Sequence, residues 1–431
     1  MTPDRGGPPV KPGALSHVRV LDLARTLAGP LSAQILGDLG AQVIKVERPG
    51  TGDESRGFGP PYLRDREGQP THDAVYFLAA NRNKRSITVD FTKPTGQALV
   101  RRLAAAADIV VENYKTGGLR QYGLDYPSIR AVNPRVIYCS ITGYGQTGPY
   151  AGRPGYDVMS QAVSGLMSLT GRKDGEPGAG PVKVGASVSD VFTGTWAAVA
   201  MLAALAHRDV TGVGQHIDLA LVDVQMACLA NQAVSYLHTG LEPQRMGNLH
   251  PSVVPYQDFA TADGQMILAI ANDGQFSRFC EVVGRPEWPR DPRFTTNGAR
   301  VRNRDAIVPM VAEVVRTKRT DEWIDLLEAV AVPCGAINGL ARAFGSPQAQ
   351  ARGMRVTVPH SLAGDIPLVA NPIKFSETPV QYRAAPPVLG EHTREILAEL
   401  GMDEAAIRAL ADEGVVTLGP AAAHETREEK A

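Results

Sequence analysis

The 431-residue chain has only four cysteines, Cys139, Cys228, Cys280 and Cys334, and no two of them form a C-x-x-C pair. That argues against a disulfide framework, a thioredoxin-like pair or a cysteine-rich zinc site, and leads to the expectation of reduced thiols in the cytoplasm. The net charge is −1, so there is no basic field to draw nucleic acid or an anionic membrane surface. No apolar run reaches the ~18 residues that a bilayer span needs. The longest, "TWAAVAMLAALAH", reads as a buried core helix. The N-terminal "MTPDRGGPPVKPGAL" lacks the apolar segment of a secretory signal. Its Pro and Gly content predicts a flexible leader over 1–15, and the polar end predicts a flexible tail over 419–431. No internal repeat is present, nor a P-loop, an H-E-x-x-H or a G-x-S-x-G. His250 and His392 have no second His or Cys at metal-ligand spacing, so no metal is expected and a structural role is assigned to both.

What the chain does have is 43% hydrophobic and 21% charged residues, a balance that fits a globular protein with a large core. Its first half alternates strand and helix patterns. "VRVLDLA", "AQVIKVE", "SITVDF", "DIVVEN" and "RVIYCSIT" read as buried strands. "GPLSAQILGDLG", "PTGQALVRRLAAAA" and "YPSIRAVN" read as the helices between them. This predicts an α/β fold with a mostly parallel sheet, whose ligands bind beyond the carboxyl ends of the strands. Helices are expected over Tyr156–Thr170 and Val191–Arg208, and a short strand and one long helix over "GQHIDLALVDVQMACLANQAVSYLH". Near Pro251 the pattern changes to a hairpin around Asp263-Gly264 and three helices, a smaller α+β domain.

The run Val136–Tyr150, "VIYCSITGYGQTGPY", contains G-x-G-x-x-G after a strand. A dinucleotide site would need a helix to start within the glycines. Pro149 follows the third glycine and would lie inside that helix, where it removes a hydrogen bond and clashes. The segment is therefore a long turn whose glycines let the backbone approach a ligand. Asp190, in "VGASVSDVFTGTW", lies where a Gly-rich loop meets a helix. Two readings stand: a helix N-cap, or a carboxylate kept ionised by the helix dipole that acts as a covalent nucleophile, with nearby backbone N–H groups to hold an oxyanion. Arg82, Lys84 and Arg85 in "ANRNKRSITVD" are either a solvated loop or a phosphate-facing patch that Arg48 joins.

Taken together, "VLDLARTLAGPLSAQILGDLGAQVIKVERPGTGDESR", "NRNKRSITVD", "DIVVENYKTGGL", "NPRVIYCSITGYGQTGPY", "GYDVMSQAVSG", "GASVSDVFTG", "GVGQHIDLALVD" and "LGEHT" resemble the class III CoA-transferases. That family includes formyl-CoA transferase, carnitine CoA-transferase and α-methylacyl-CoA racemase, and the resemblance runs from about His17 to about Val416. It implies an interlocked homodimer. It also implies a Rossmann-like large domain over 16–235 and 351–418 around a small domain over 236–350. No metal or prosthetic group is implied, and coenzyme A enters as the acyl-CoA co-substrate. The family's nucleophilic aspartate falls on Asp190, which would pass through an aspartyl anhydride and an aspartyl-CoA thioester. The family's CoA contacts fall on Leu27 and Ala28, Arg48, the segment from Val89, Asn113, Tyr114 and Lys115, on Gln121 with Arg120 as its substitute, and on Tyr156 and Asp157.

Departures from the pattern bear on substrate. The formyl-CoA enzyme has a glutamine at Leu27, a lysine at Pro154 and a glycine-rich lid where this chain has "RMGNLHPSVVPYQ", which argues against formate and oxalate. The racemase has an acid/base histidine where this chain has Tyr156. An unperturbed tyrosine, with pKa of about 10, is a poor proton exchanger, so transfer of CoA between carboxylic acids is expected over racemisation. Arg25, Arg56 and Arg245 are candidates to hold a second carboxylate, pointing to a dicarboxylate such as succinate.

Overall fold

The computed structural model describes residues 12–419, so nearly all of the expected leader and tail lies outside the described residues. Contacts divide the chain into two compact units. One holds the residues up to Leu166, Val184–Val234 and those from Gln350 onward, and the other holds Met167–Lys183 and Ser235–Ala349.

The first unit is built on a six-stranded sheet. Its elements run β1 (Arg19–Asp22), α1 (Ala28–Asp38), β2 (Gln42–Glu47), β3 (Lys84–Thr88), α2 (Pro94–Ala105), β4 (Ile109–Glu112), β5 (Ile137–Thr142), α3 (Asp157–Val163), α4 (Val188–Thr211), β6 (His216–Ala220) and α5 (Leu221–Ala227). Every pairing is parallel, in the order β3-β2-β1-β4-β5-β6. The strand order reverses between β1 and β4, and the crevice beyond their carboxyl ends is where doubly wound sheets take ligands. β4 and β5 are buried along their whole length, as their mainly apolar sequences imply when both faces are covered.

α4 is longer than expected, 24 residues, and by length and composition alone it would cross a bilayer. Its buried stripe, which includes Ala197, Met201, Ala204 and Leu205, packs into the core with α1 and β1, so it is the core helix that the shorter apolar run implied. α4 and α1 touch closely at Gly194, where an added Cβ would lie 2.7 Å from the Ala28 carbonyl oxygen. Gly194→Ala is expected to lower stability by about 1–3 kcal/mol despite alanine's better helix propensity, read as a shift in the urea midpoint.

Two expected elements differ. The segment after β6 is α5 and a second helix, Ala230–Thr239, broken where Ala230 adopts φ +46°. The helix after Tyr156 stops at Val163, before Gly165 at φ +96°. A hairpin, Tyr62–Arg64 with Pro70–Ala74, forms between β2 and β3. Among the described residues, the strands Arg355–His360 and Gly364–Val369 pair only with each other, as an antiparallel ribbon.

The second unit has its own core around Phe259, Phe276, Phe279 and Trp323. A three-stranded antiparallel sheet carries the expected hairpin, Tyr256–Ala260 with Gln265–Ala269. Helices follow at Asp273–Val282, Arg304–Val315 and Thr320–Glu328.

Candidate active site

A buried ionic network sets the turn that follows β1. Lys84 Nζ meets Asp22 at 2.8 Å, and Lys45 Nζ meets Asp53 at 2.8 Å and donates to the Ala24 carbonyl at 2.8 Å. Burial works against the charge on both lysines. It brings Lys84 down to about 8, whereas at Lys45 the carboxylates of Asp53, Asp22 and Glu47 outweigh it and raise the pKa. Asp53 also accepts the Thr26 N–H at 3.0 Å and so supports Thr26 at φ +70°, a left-handed conformation that costs a β-branched residue about 1–3 kcal/mol. Across the point where strand order reverses, Asn113 ties the end of β4 to the same turn. It accepts the Arg25 N–H at 2.8 Å and donates to the Arg25 carbonyl at 2.7 Å.

Pairing with acids corrects the reading of Arg82, Lys84 and Arg85 as a phosphate-facing patch, the first two in the interior and Arg85 at the surface. Arg82 is held by Asp38 at 2.6 Å, Lys84 by Asp22, and Arg85 by Glu395 and Glu399. Arg56 is likewise unavailable for a second carboxylate: it is 3% exposed and bound by Glu47 at 2.7 Å and Asp73 at 2.6 Å. Arg245, in the second unit, pairs with Asp174. His392 accepts the Ser86 N–H at 3.3 Å and His250 that of Ser252 at 3.1 Å, which fits the structural roles assigned to both.

The G-x-G-x-x-G segment is a turn, as Pro149 dictated. Gly143 and Gly155 pack backbone on backbone, with an added Cβ at Gly143 only 2.5 Å from the Gly155 Cα. That contact folds the chain back so that Tyr156 and Asp157 start α3 at the carboxyl edge of the sheet. Asp157 then does what no local residue does for α4. Ser187, the N-cap of α4, makes no side-chain capping bond. Instead Asp157 Oδ1 accepts the N–H of Ser189 at 2.8 Å and that of Asp190 at 3.4 Å, while Oδ2 accepts from Gln161 at 2.7 Å.

Asp190 is therefore not an N-cap; it is the third residue of α4. Its carboxylate has no hydrogen bond or ion pair among the described residues, and it lines a cavity of about 310 Å³. Burial, with the Asp157 carboxylate beside it, pushes Asp190 up to about 7. The helix dipole does not keep it fully ionised at neutral pH, because Asp157 already occupies the amides at that helix end. The same two N–H groups are consequently not free to hold an oxyanion. Tyr76, which the sequence did not single out, is half-buried beside these acids. Burial and the nearby Asp190 and Asp157 carboxylates raise its pKa.

Most of the other candidate residues gather around this carboxylate. Leu27, Ala28, Asn113, Tyr156 and Asp157 line the Asp190 cavity. Arg48, Val89 and Gln121 line an adjoining cavity of about 930 Å³, and Tyr114 and Lys115 line both. Arg120 stands apart: its side chain is 82% exposed, approaches Asp125 at 3.6 Å and lines neither cavity.

The chain matches the model of CoA-transferase family III over residues 15–393. It belongs to that family. The transferase is 48% identical over 386 residues to the succinate–glutarate CoA-transferase of Agrobacterium fabrum, covering 90% of this chain and 95% of that one. It is 42% identical over 414 residues to the succinyl-CoA:glutarate CoA-transferase of Mus musculus, covering 96% and 91%. A solved CAIB/BAIF family protein from Brucella suis superposes with a TM-score of 0.80 at 47% identity, over 90% of the transferase and 100% of that chain. The parallel α/β architecture and the reading as an acyl-CoA:carboxylate CoA-transferase agree with these relatives.

Proposed function

We propose that Asp190 is the nucleophile through which this transferase moves coenzyme A from an acyl-CoA to a free acid, and that both acids are dicarboxylic. The observation that carries the first part is a carboxylate with no partner among the described residues, opening into a cavity at the carboxyl edge of the sheet. The larger cavity, with Arg48, Val89 and Gln121, takes the nucleotide of CoA, and the thioester reaches Asp190 past Tyr114 and Lys115. The relatives named for succinate and glutarate support the second part.

In the proposed sequence an Asp190 carboxylate oxygen attacks the thioester carbonyl. The C–S bond breaks, leaving a mixed anhydride and CoA thiolate. The thiolate attacks Asp190 Cγ and displaces the donor acid, giving an aspartyl-CoA thioester. The acceptor carboxylate attacks the same carbon and expels the thiolate, which then attacks the acceptor's acyl carbon and regenerates Asp190. No net proton or external energy is used, and the difficult exchange is divided into easier covalent steps. Water has to be kept from the anhydride.

A homodimer in a reducing compartment completes the proposal. Exposed apolar side chains on α4 (Phe192, Trp196, Val199) and α3 (Val158, Met159) support a partner surface, and the four free thiols support the compartment. The test is a screen of acceptors with succinyl-CoA, read by mass spectrometry of the CoA products. Glutarate is expected to be converted well ahead of acetate, valerate and oxalate; equal conversion of valerate and glutarate would overturn the dicarboxylate assignment.

A further inference from the structure

Dicarboxylic substrates meet an electrostatic obstacle in the Asp190 cavity. Asp157 and Asp190 both line it, so a second carboxylate on the acyl group is repelled unless a cation receives it. Three basic residues line the cavity, Arg25, Lys115 and Arg153. Arg25 is already committed: it is ion-paired with Glu54, and its guanidinium carbon sits 4.3 Å over the Tyr114 ring. Lys115 also lines the larger cavity, where the CoA phosphates are proposed to lie. Arg153 has no ion pair among the described residues. Its guanidinium is held 3.7 Å above the Tyr150 ring, and Tyr150 is in turn braced edge-on by Tyr144 with ring centroids 5.9 Å apart.

We propose that Arg153 is the specificity residue that receives the distal carboxylate of the acyl group while the reacting carboxyl lies at Asp190. The inference rests on the dicarboxylate reading above. A guanidinium presents a planar fork that matches a carboxylate with two parallel hydrogen bonds, and stacking on Tyr150 orders that fork before substrate arrives. The carboxyl carbons of a four- or five-carbon diacid lie roughly 4–5 Å apart at ~1.5 Å per staggered bond, a span that fits within a cavity of about 310 Å³. Donor and acceptor occupy this cavity in turn, so one arginine selects both acids. That accounts for a transferase whose two substrates are alike in having a free second carboxylate.

The test compares the full-length wild type with Arg153→Gln and Arg153→Lys. With succinyl-CoA as donor, kcat/KM is measured for glutarate and for valerate, which has the same length and lacks the distal carboxylate. In a ping-pong reaction this ratio depends only on how the CoA-loaded enzyme meets the acceptor. Arg153→Gln is expected to reduce the glutarate-to-valerate ratio by about tenfold or more, and Arg153→Lys by less, because a lysine keeps the charge without the fork. A wild-type preference that survives both substitutions overturns the role of Arg153 alone. A wild type with no preference overturns the dicarboxylate reading and this inference with it. A parallel fall in both kcat/KM values leaves the ratio unchanged and also overturns it.

Discussion

Asp190→Ala is expected to lower CoA transfer by about 10⁴-fold or more and to leave no covalent adduct. The size follows from the role: removing a covalent nucleophile abolishes the route rather than weakening one contact, and comparable losses in other enzymes reach ~10⁶. Wild-type protein incubated with succinyl-CoA should show an added CoA mass that hydroxylamine removes; the variant should show none. Asp190→Asn tests shape against chemistry, since it fills the same volume without a nucleophilic carboxylate, and it should be equally inactive. Retained full activity in either variant would sink the assignment. Stability should move the other way. Asp190 is pushed up to about 7 by burial and by Asp157, above its unfolded value of about 3.9. Its favourable contribution is then present below about pH 4 and lost as pH rises toward 7. At pH 8 the asparagine variant should therefore melt above the wild type, because the burial of a charge, and its repulsion by Asp157, are gone. Lost activity with gained stability is the signature of a strained functional group rather than a structural one.

The strands were legible because a parallel sheet covered on both faces writes itself as short, mainly apolar runs, and β4 and β5 are such runs, broken only by Glu112, Ser140 and Thr142. Pro149 was enough to remove the dinucleotide reading. What stayed hidden were partnerships made across long stretches of chain. Arg82 and Asp38 are 44 residues apart, and Asp157 reaches the amide of Asp190 across 33; neither spacing leaves a local pattern. Cations that look free beside a loop in the sequence therefore read as ligand contacts, although the fold matches Arg56, Arg82 and Lys84 with buried acids. The break at Ala230 was equally silent, since no glycine or proline marks it. Motif resemblance singled out Asp190, but only the geometry shows that its helix is capped from another element, and burial beside Asp157 pushes its carboxyl up.

That capping arrangement makes the pH dependence a sharp test. If Asp190 attacks as a carboxylate, kcat/KM for succinyl-CoA should rise about tenfold per pH unit on the acid side and level off near 7, the value to which burial and Asp157 raise it. Asp157→Asn removes the neighbouring charge and leaves the burial. The acid limb should then move down by about one unit or more, still above that of a solvent-exposed aspartate, so that at pH 5.5 the variant gains roughly tenfold relative to its own plateau. The introduced asparagine still offers an oxygen to the amides of Ser189 and Asp190, but its NH₂ faces the Gln161 amide, so some loss of stability is expected alongside the shift. Two other groups with raised pKa values have to be separated from the limb. Burial keeps Tyr76 neutral over this range by raising its pKa. Glu112, at the end of β4, is pushed by burial up to about 7 as well, yet Asp157 is not among the groups that shift it, so a limb due to Glu112 would stay in place when Asp157 is replaced. A limb that does not move in Asp157→Asn, but is lost in Glu112→Gln, would assign the titration to Glu112 and not to Asp190.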